Sequence, residues 1–185
     1  MKLMKVSALL LASGIVLFSS CKKTEPEMRD EKIGGCLDDD SPIYNSIADF
    51  DDESCIYAYV NAYEITYHPA NDANGDDWDF LINTDADIYL KIQIEGESTW
   101  LFESSVVDNQ AHNQPVTWTA PENIKLFNTD YYWEVYDSDA TGGDDFVASG
   151  IFNPIELAGD STIVATGTNS SGNETQLVLS FELSE

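Results

Sequence analysis

The stretch from Ile88 to Glu95 reads IYLKIQIE, and it decides the class of fold. Every second side chain in it is a branched aliphatic one: Ile88, Leu90, Ile92 and Ile94. The residues between them are Tyr89, Lys91, Gln93 and Glu95. A period of two is typical of a β-strand with one face in the core and one face toward solvent.

The same alternation recurs near the other end of the chain, from Leu177 to Ser184 (LVLSFELS). No stretch from Ile56 to Glu185 has helical periodicity. About eight short strands over some 130 residues indicate an all-β fold, namely a β-sandwich. The remaining candidate strands are Tyr57–Tyr67, Trp100–Val107, Ile124–Phe127, Tyr131–Tyr136, Phe146–Phe152 and Ser161–Thr166.

Two loops between candidate strands are rich in aspartate. Val135 to Phe146 (VYDSDATGGDDF) holds four carboxylates, and Asn71 to Leu90 (NDANGDDWDFLINTDADIYL) holds another group. Two unit charges 4 Å apart repel each other by about 4 kcal/mol at an effective dielectric constant near 20. Calcium takes 6–8 oxygen ligands, which one loop rarely supplies but two loops at one end of a sandwich can. The sequence therefore predicts a divalent cation site.

Three local motifs resemble those of the calcium/lipid-binding C2 domain of the synaptotagmin and protein kinase C type. They are, in the family's order and approximate spacing, Asp87–Ile92 (DIYLKI), Asn113–Trp118 (NQPVTW) and Val135–Asp139 (VYDSD) with Asp145 six residues later. The resemblance covers about Tyr59 to Phe152.

This resemblance implies an eight-stranded antiparallel β-sandwich over residues 56–185, with calcium in the loops at one tip. It also implies a set of ligands, whose first-loop member we take to be Asp79, with Asp76, Asp77 and Asp85 as alternatives. The predicted ligands are Asp79, Asp87, Asp137, Asp139 and Asp145. A sandwich that kept this fold without binding metal is the alternative.

The N-terminus is typical of an exported protein. A basic start, MKLMK, precedes an apolar run from Val6 to Phe18 that is too short to span a bilayer as a mature helix. Leu17–Cys21 (LFSSC) resembles a bacterial lipoprotein box. We therefore expect a signal peptide over 1–20, a lipidated Cys21 with a flexible tether over 21–34, and anchoring in the bacterial cell envelope, on the outer membrane facing outward. An ordinary signal peptide is the alternative.

If Cys21 carries lipid, Cys36 and Cys55 remain as a pair, and export places them in an oxidising compartment. We expect a disulfide bond between them. The segment 35–55 resembles a small cysteine-bounded repeat of secreted bacterial surface proteins. Glu53 stands where that pattern has glycine, which disfavours a turn with positive φ there. This acidic loop is predicted either to hold a cation or to be a solvated disulfide loop.

The net charge restricts the partners. The whole chain carries −26, and from Ile33 onward only Lys91 and Lys125 stand against 30 acids. A protein that binds nucleic acid needs a positively charged surface, so a nucleic-acid partner is excluded. For the same reason we expect membrane attachment through the N-terminal lipid only.

Catalytic motifs are absent from the sequence, so we expect no enzyme. There is no Gly-x-Ser-x-Gly elbow, phosphate loop or Cys/His zinc spacing. The two histidines, His68 and His112, are interpreted as surface or loop residues. Trp118 and Trp133 are assigned to the core, whereas Trp78 lies in an acidic loop where it could be exposed.

The sequence thus favours a lipid-anchored, non-catalytic protein with a calcium-binding sandwich and an unknown protein or glycan ligand. Three rival hypotheses remain at this stage. They are an anchored carbohydrate-binding module with structural calcium, a metal-free adhesion sandwich, and a calcium-dependent hydrolase accessory or weak enzyme.

Overall fold

The structure is a computed structural model that describes residues 31–79, 85–157 and 161–184, without the side chains of 122, 123, 156 and 157. The predicted signal peptide, Cys21 and the tether up to residue 30 lie outside the described residues. Lys32–Glu185 forms one compact unit. Within the described part of the chain, no helix combines the length and apolarity needed to cross a bilayer.

Apart from one helical turn, the regular secondary structure of the described residues consists of β-strands, as predicted. A small parallel pair of two-residue strands, β1 and β2, precedes the main sheet. The elements are β1 (Gly34–Gly35), β2 (Phe50–Asp51), β3 (Tyr57–Tyr67), β4 (Ala86–Ile94), β5 (Phe102–Glu103), β6 (Val107–Gln110), β7 (Val116–Lys125), β8 (Tyr131–Asp137), β9 (Asp145–Phe152), α1 (Pro154–Leu157), β10 (Thr162–Thr168) and β11 (Glu174–Ser184).

The main strands pair antiparallel in the order β5-β4-β8-β9-β10-β11-β3-β7. The short strands β5 and β6 follow each other along the same edge of β4, so the sheet has eight strand positions. β9 and β10 are joined only at Thr168 and Ser149. The sheet bends at this joint into two four-stranded halves, which is the eight-stranded antiparallel arrangement predicted from the sequence.

The two halves pack face to face through aromatic side chains. Tyr63 of β3 stacks on Phe102 of β5, with ring centroids 4.2 Å apart. Trp118 of β7 is buried and donates from Nε1 to the carbonyl of Ser105, at 2.9 Å. Burial alternates strictly along β8, and Trp133 at its centre is fully buried. The assignment of Trp118 and Trp133 to the core is therefore confirmed.

Two glycines make the joint between the halves possible. A Cβ at Gly167 of β10 would lie 2.4 Å from the carbonyl oxygen of Ser149 and 2.6 Å from the Trp133 ring. A Cβ at Gly150 of β9 would lie 2.9 Å from the same ring. The large indole is thus accommodated because β9 and β10 present no side chain at these two positions.

The observed elements of the main sheet differ most from the predicted ones in three places. The candidate strand Trp100–Val107 is split, because Ser104 Oγ accepts the backbone N–H of Leu90 at 2.9 Å in place of a ladder bond. β7 begins at Val116, well before the predicted start at Ile124. The one-turn helix α1 was not predicted. Asn153 Oδ1 caps it by accepting the N–H of Ile155 at 3.0 Å, and Pro154 occupies its first position.

The predicted disulfide bond between Cys36 and Cys55 is present. It closes a small module that is tied to the sandwich by three hydrogen bonds. The Tyr57 hydroxyl donates to Asp38 at 2.6 Å, the Asn128 N–H donates to Asp40 at 2.8 Å, and Ser41 Oγ donates to the carbonyl of Ile56 at 2.7 Å. The expectation against positive φ at Glu53 is wrong: its φ is 64°, held by a hydrogen bond from its N–H to Asp51 at 2.9 Å.

Two side chains assigned to the surface or left exposed are in fact buried. His68 is 3% exposed, and its Nδ1 donates to the carbonyl of Pro69 at 2.9 Å. Trp78 is 4% exposed, and its Nε1 donates to the same carbonyl at 3.0 Å. One backbone carbonyl thus accepts hydrogen bonds from both buried rings. The sequence did not indicate this, because the acidic residues around Trp78 are typical of a solvent-exposed loop. His112 is exposed, as predicted.

Candidate metal centre

Asp137 lies at the centre of the predicted site. It is the last residue of β8, opposite Ile88 of β4 and Asp145 of β9, and it follows the inward side of the strand's alternation. Its side chain is only 1% exposed. Oδ1 accepts the backbone N–H of Asp87 at 2.5 Å, whereas Oδ2 is buried without a hydrogen-bond donor from the described residues. An ionised carboxylate with an unpartnered buried oxygen is costly unless a cation compensates it.

The electrostatics of Asp137 reflect this environment. The pKa of its carboxyl group is raised from 3.8 to about 6, chiefly by burial and also by the negative charges of Asp139, Asp79 and Asp87. The hydrogen bond from the Asp87 N–H acts in the opposite direction on the pKa. At neutral pH the site therefore holds a carboxylate that favours any positive charge placed beside it.

Asp87 connects three strand ends around this carboxylate. Its Oδ1 accepts the backbone N–H of Asn109 at 2.7 Å, and its carbonyl accepts the N–H of Ser138 at 2.9 Å. Asn109, the third residue of β6, has a φ of 53°, the left-handed conformation that asparagine tolerates. The start of β4, the end of β6 and the end of β8 therefore meet at one end of the sheet.

The remaining predicted ligands lie in or beside the two aspartate-rich loops. Asp79 is half-buried, and desolvation followed by the charge of Asp87 raises its pKa. Asp139 is also half-buried, and desolvation raises its pKa, as do the charges of Asp145, Asp79, Asp144 and Asp87. Asp145 is exposed at the first position of β9. The charges of Asp139, Asp79 and Asp87 thus act on Asp137, and the charge of Asp145 acts on Asp139.

Asp144 is a sixth carboxylate that the sequence reasoning did not select. Its Oδ2 accepts the Tyr89 hydroxyl at 2.5 Å, and its Oδ1 accepts the backbone N–H of Asp139 at 3.3 Å. Asp144 and Asp145 are adjacent in the sequence, and nothing in the local pattern distinguishes them. The cross-strand approach of Tyr89 to Asp144, 55 residues apart, is a tertiary contact that the sequence does not show.

The three alternatives considered for the first loop lie at its exposed surface. Asp76, Asp77 and Asp85 are exposed, and Asp77 accepts a hydrogen bond from the Asn71 side chain at 3.1 Å. The charge of Asp79, in contrast, acts on both Asp137 and Asp139.

A tighter acidic group lies in the disulfide module. Among the described residues, Asp38, Asp39 and Asp40 form the group whose carboxylate oxygens all lie within 4.8 Å of one another. Asp38 accepts the Tyr57 hydroxyl, which lowers its pKa, and Asp40 accepts the Asn128 N–H. Asp38 and Asp40 already serve as acceptors for the contacts that tie the module to the sandwich.

The chemistry of the Asp137 cluster suits calcium. Its donors are carboxylate oxygens, which are hard ligands, and one of them is buried and unpartnered. There is no thiolate or imidazole among the predicted ligands, so a zinc site of the usual kind is not formed by them. Asp79, Asp87, Asp137, Asp139 and Asp145 would hold the ion, and Asp144 stands next to them.

No protein-family model and no curated protein matches the chain. Among solved structures, a C2 domain shares 19% identity with a TM-score of 0.42, over 69% of this chain and 98% of that one. Human GIVD cytosolic phospholipase A2 shares 16% identity with a TM-score of 0.41, and the chain spans only 17% of its length.

A pair of C2 domains of extended synaptotagmin 2, in a calcium-bound structure, shares 16% identity with a TM-score of 0.37. This match covers 68% of the present chain and 46% of the other. All three similarities have low identity and TM-scores below 0.5. We infer the function from the residues of this chain.

Proposed function

We propose that this protein is a lipid-anchored, non-catalytic protein of the bacterial cell envelope whose β-sandwich binds calcium at one end. The observation that carries the calcium proposal is the buried, unpartnered Oδ2 of Asp137, surrounded by the carboxylates of Asp79, Asp87 and Asp139. A bound cation would supply the missing partner and offset the mutual repulsion of these groups.

Calcium calorimetry on the full-length chain in mild detergent tests this proposal. We expect saturable heat with a dissociation constant of about 10⁻⁴–10⁻³ M, the range of extracellular calcium modules. Asp137→Asn and Asp139→Asn should each remove most of the heat. Glu182→Gln, which removes an exposed charge from β11, is the matched control and should titrate like the parent. A flat trace for the parent at millimolar calcium contradicts the proposal.

The anchoring part of the proposal rests on the residues before the described region. A short apolar run followed by Leu17–Cys21 supports cleavage before Cys21 and attachment of lipid to it. In cells, the parent should partition into the detergent phase of a phase-separating extraction, whereas Cys21→Ala should move to the aqueous phase. Detergent partitioning that survives this substitution contradicts lipidation at Cys21.

The non-catalytic part of the proposal is supported by the state of the titratable groups. His68 is enclosed, and burial lowers its pKa, so it has no access to a substrate. Cys36 and Cys55 are joined in a disulfide bond and cannot act as nucleophiles. The carboxylates cluster around Asp137, where ligation of a cation explains them better than proton transfer.

A further inference from the structure

The outer face of one half of the sandwich carries an unusual row of aromatic side chains. Tyr89, Tyr136 and Phe146 stand opposite one another on the adjacent strands β4, β8 and β9. The next outward positions hold Lys91 opposite Glu134, and the following ones hold Gln93, Tyr132 and Ile151. We call this outer surface of β4, β8 and β9, with Trp100 at its border, the aromatic face.

The rings of the aromatic face form one continuous group. Tyr89 stacks on Tyr136 at 5.6 Å, and Tyr136 meets Phe146 edge to face at 5.8 Å. The Lys91 ammonium lies 5.2 Å from the Tyr89 ring, 5.5 Å from Tyr136 and 5.7 Å from Trp100. Phe146 is 38% exposed, and Tyr132, Tyr136 and Trp100 are half-buried.

Cross-strand aromatic pairs stabilise a sheet, but that role alone does not explain this surface. The core already contains the alternate residues of these strands, among them Ile88, Leu90 and Trp133. In the other half, the outward positions of β10 and β11 carry no aromatic side chain; they are Thr162, Val164, Thr166 and Thr168 of β10, and Gln176, Val178, Ser180 and Glu182 of β11. The strand β3 of that half does carry two outward tyrosines, Tyr57 and Tyr59. On the aromatic face, rings stand side by side on three adjacent strands and contact one another, and such a partly exposed group of rings points to contact with a ligand.

Hydrogen-bond acceptors line the aromatic face. Glu134 accepts the hydroxyls of Tyr132 at 2.7 Å and Tyr136 at 3.0 Å, and Asp144 accepts that of Tyr89. The single cation, Lys91, lies 3.8 Å from Glu103. Three carboxylates around one paired lysine disfavour phosphate groups and anionic lipids as ligands. A suitable ligand is uncharged, has an apolar face that packs on rings, and donates hydrogen bonds to carboxylates.

We propose that the aromatic face binds a neutral oligosaccharide. Sugar rings combine C–H faces, which pack against Tyr136, Phe146 and Trp100, with hydroxyl groups that donate to Glu134 and Glu103. Aromatic side chains contribute large contact area at low entropic cost, and their polar ends remain available for hydrogen bonds. This site lies beside the cation cluster but does not require the cation, because none of the rings belongs to it.

Isothermal titration calorimetry of the full-length chain in mild detergent tests the proposal. A chelator is present, so that the result does not depend on whether the protein binds calcium. The probes are the neutral hexasaccharides of cellulose, xylan, mannan, laminarin and chitin. We expect at least one of them to bind. Phe146→Ala and Trp100→Ala should each weaken that binding about tenfold or more, which is about 1.4 kcal/mol per factor of ten. Val164→Ala, which alters an exposed apolar side chain on β10, should leave the binding unchanged.

Near-ultraviolet circular dichroism confirms that each variant is folded, and Tyr136→Phe adds a variant that keeps the ring while removing one hydroxyl. Heparin oligosaccharides and octalysine serve as anionic and cationic probes. The proposal is overturned if no neutral hexasaccharide binds, if only a charged probe binds, or if binding is unchanged in both Phe146→Ala and Trp100→Ala.

Discussion

Asp137 occupies a regular position at the end of β8, but its burial there makes its ionised carboxylate energetically unfavourable. Its position on the inward side of β8 buries it, and the Asp87 N–H satisfies only one of its oxygens. Burial and three neighbouring carboxylates oppose its ionisation, whereas a cation favours it. The same side chain therefore destabilises the cation-free protein and stabilises the cation-bound one.

Asp137→Asn should have opposite effects under these two conditions. In chelator at pH 7, the amide removes the buried charge while its oxygen still accepts the Asp87 N–H, so the melting temperature should rise. In millimolar calcium, the parent gains stability by mass action and the variant does not. Differential scanning calorimetry in both buffers measures this. If calcium raised the melting temperatures of the parent and the variant equally, the cation would bind elsewhere.

The pH dependence in chelator follows from the raised pKa of Asp137. The folded-state pKa of about 6 exceeds the ordinary 3.8, so the folded state holds more protons than the unfolded state between these values. Its contribution to stability is therefore lost as the pH rises from about 4 to about 6. The free energy of unfolding of the parent, measured relative to that of Asp137→Asn, should fall by on the order of 2–3 kcal/mol across that window. Urea titrations at pH 4 and pH 7 measure the difference. A gap that does not change with pH contradicts the assignment.

At the residue scale, the sequence supplies the candidate ligands but not their surroundings. Asp87, Asp137 and Asp139 were selected from local motifs at strand ends, which can be read in the sequence itself. Asp144 and the burial of His68 and Trp78 depend on contacts with Tyr89 and Pro69, which only the folded chain brings together.

At the element scale, strands with strict alternation were predicted to within one or two residues. β8 and β10 are examples, because their period of two directly determines which face is buried. β7 was predicted too short because Pro121 interrupts the pattern. Proline is tolerated there because β7 pairs only with β3 and lies at the edge of its sheet. Edge position is a property of the topology and is absent from the local sequence.

The joint between β9 and β10 should be intolerant of side chains. Gly167→Ala places a methyl group against the Ser149 carbonyl and the Trp133 ring, neither of which can move without disturbing the core. We expect a loss of about 1–3 kcal/mol or more in the free energy of unfolding. Thr166→Ala, exposed on the same strand, should change it by less than about 0.5 kcal/mol. Chemical denaturation compares the two, and similar midpoints contradict the role given to Gly167.

The disulfide module should contribute to the stability of the sandwich through its closure. Its two cysteines are 19 residues apart, and the closed loop presents Asp38, Asp40 and Ser41 to the strands. Replacing both Cys36 and Cys55 by serine should cost roughly 3 kcal/mol in the chain-entropy account. Urea unfolding of this variant, compared with the parent under non-reducing conditions, measures the loss. An unchanged midpoint would mean that the module folds without its bond.

At the scale of the whole molecule, charge determines how the protein meets a membrane. From Ile33 onward 30 acids oppose two lysines, a net of −28. An anionic surface attracts each basic residue by roughly 1 kcal/mol and repels acidic ones comparably. Two bound calcium ions would cancel only about 4 of these charges. Screening over about 8 Å at physiological ionic strength reduces the repulsion without reversing it.

We therefore expect the sandwich itself to avoid anionic lipid, with or without calcium. The Cys21→Ala chain, which lacks the proposed anchor, should stay in the supernatant when centrifuged with phosphatidylserine vesicles at physiological salt. The lipidated parent should pellet with neutral and anionic vesicles alike, because its acyl group alone provides attachment. Calcium-dependent pelleting of Cys21→Ala would mean that a local surface overrides the net charge. The loops around Asp137 would then be the surface to examine, since bound calcium there can bridge a carboxylate and a lipid phosphate.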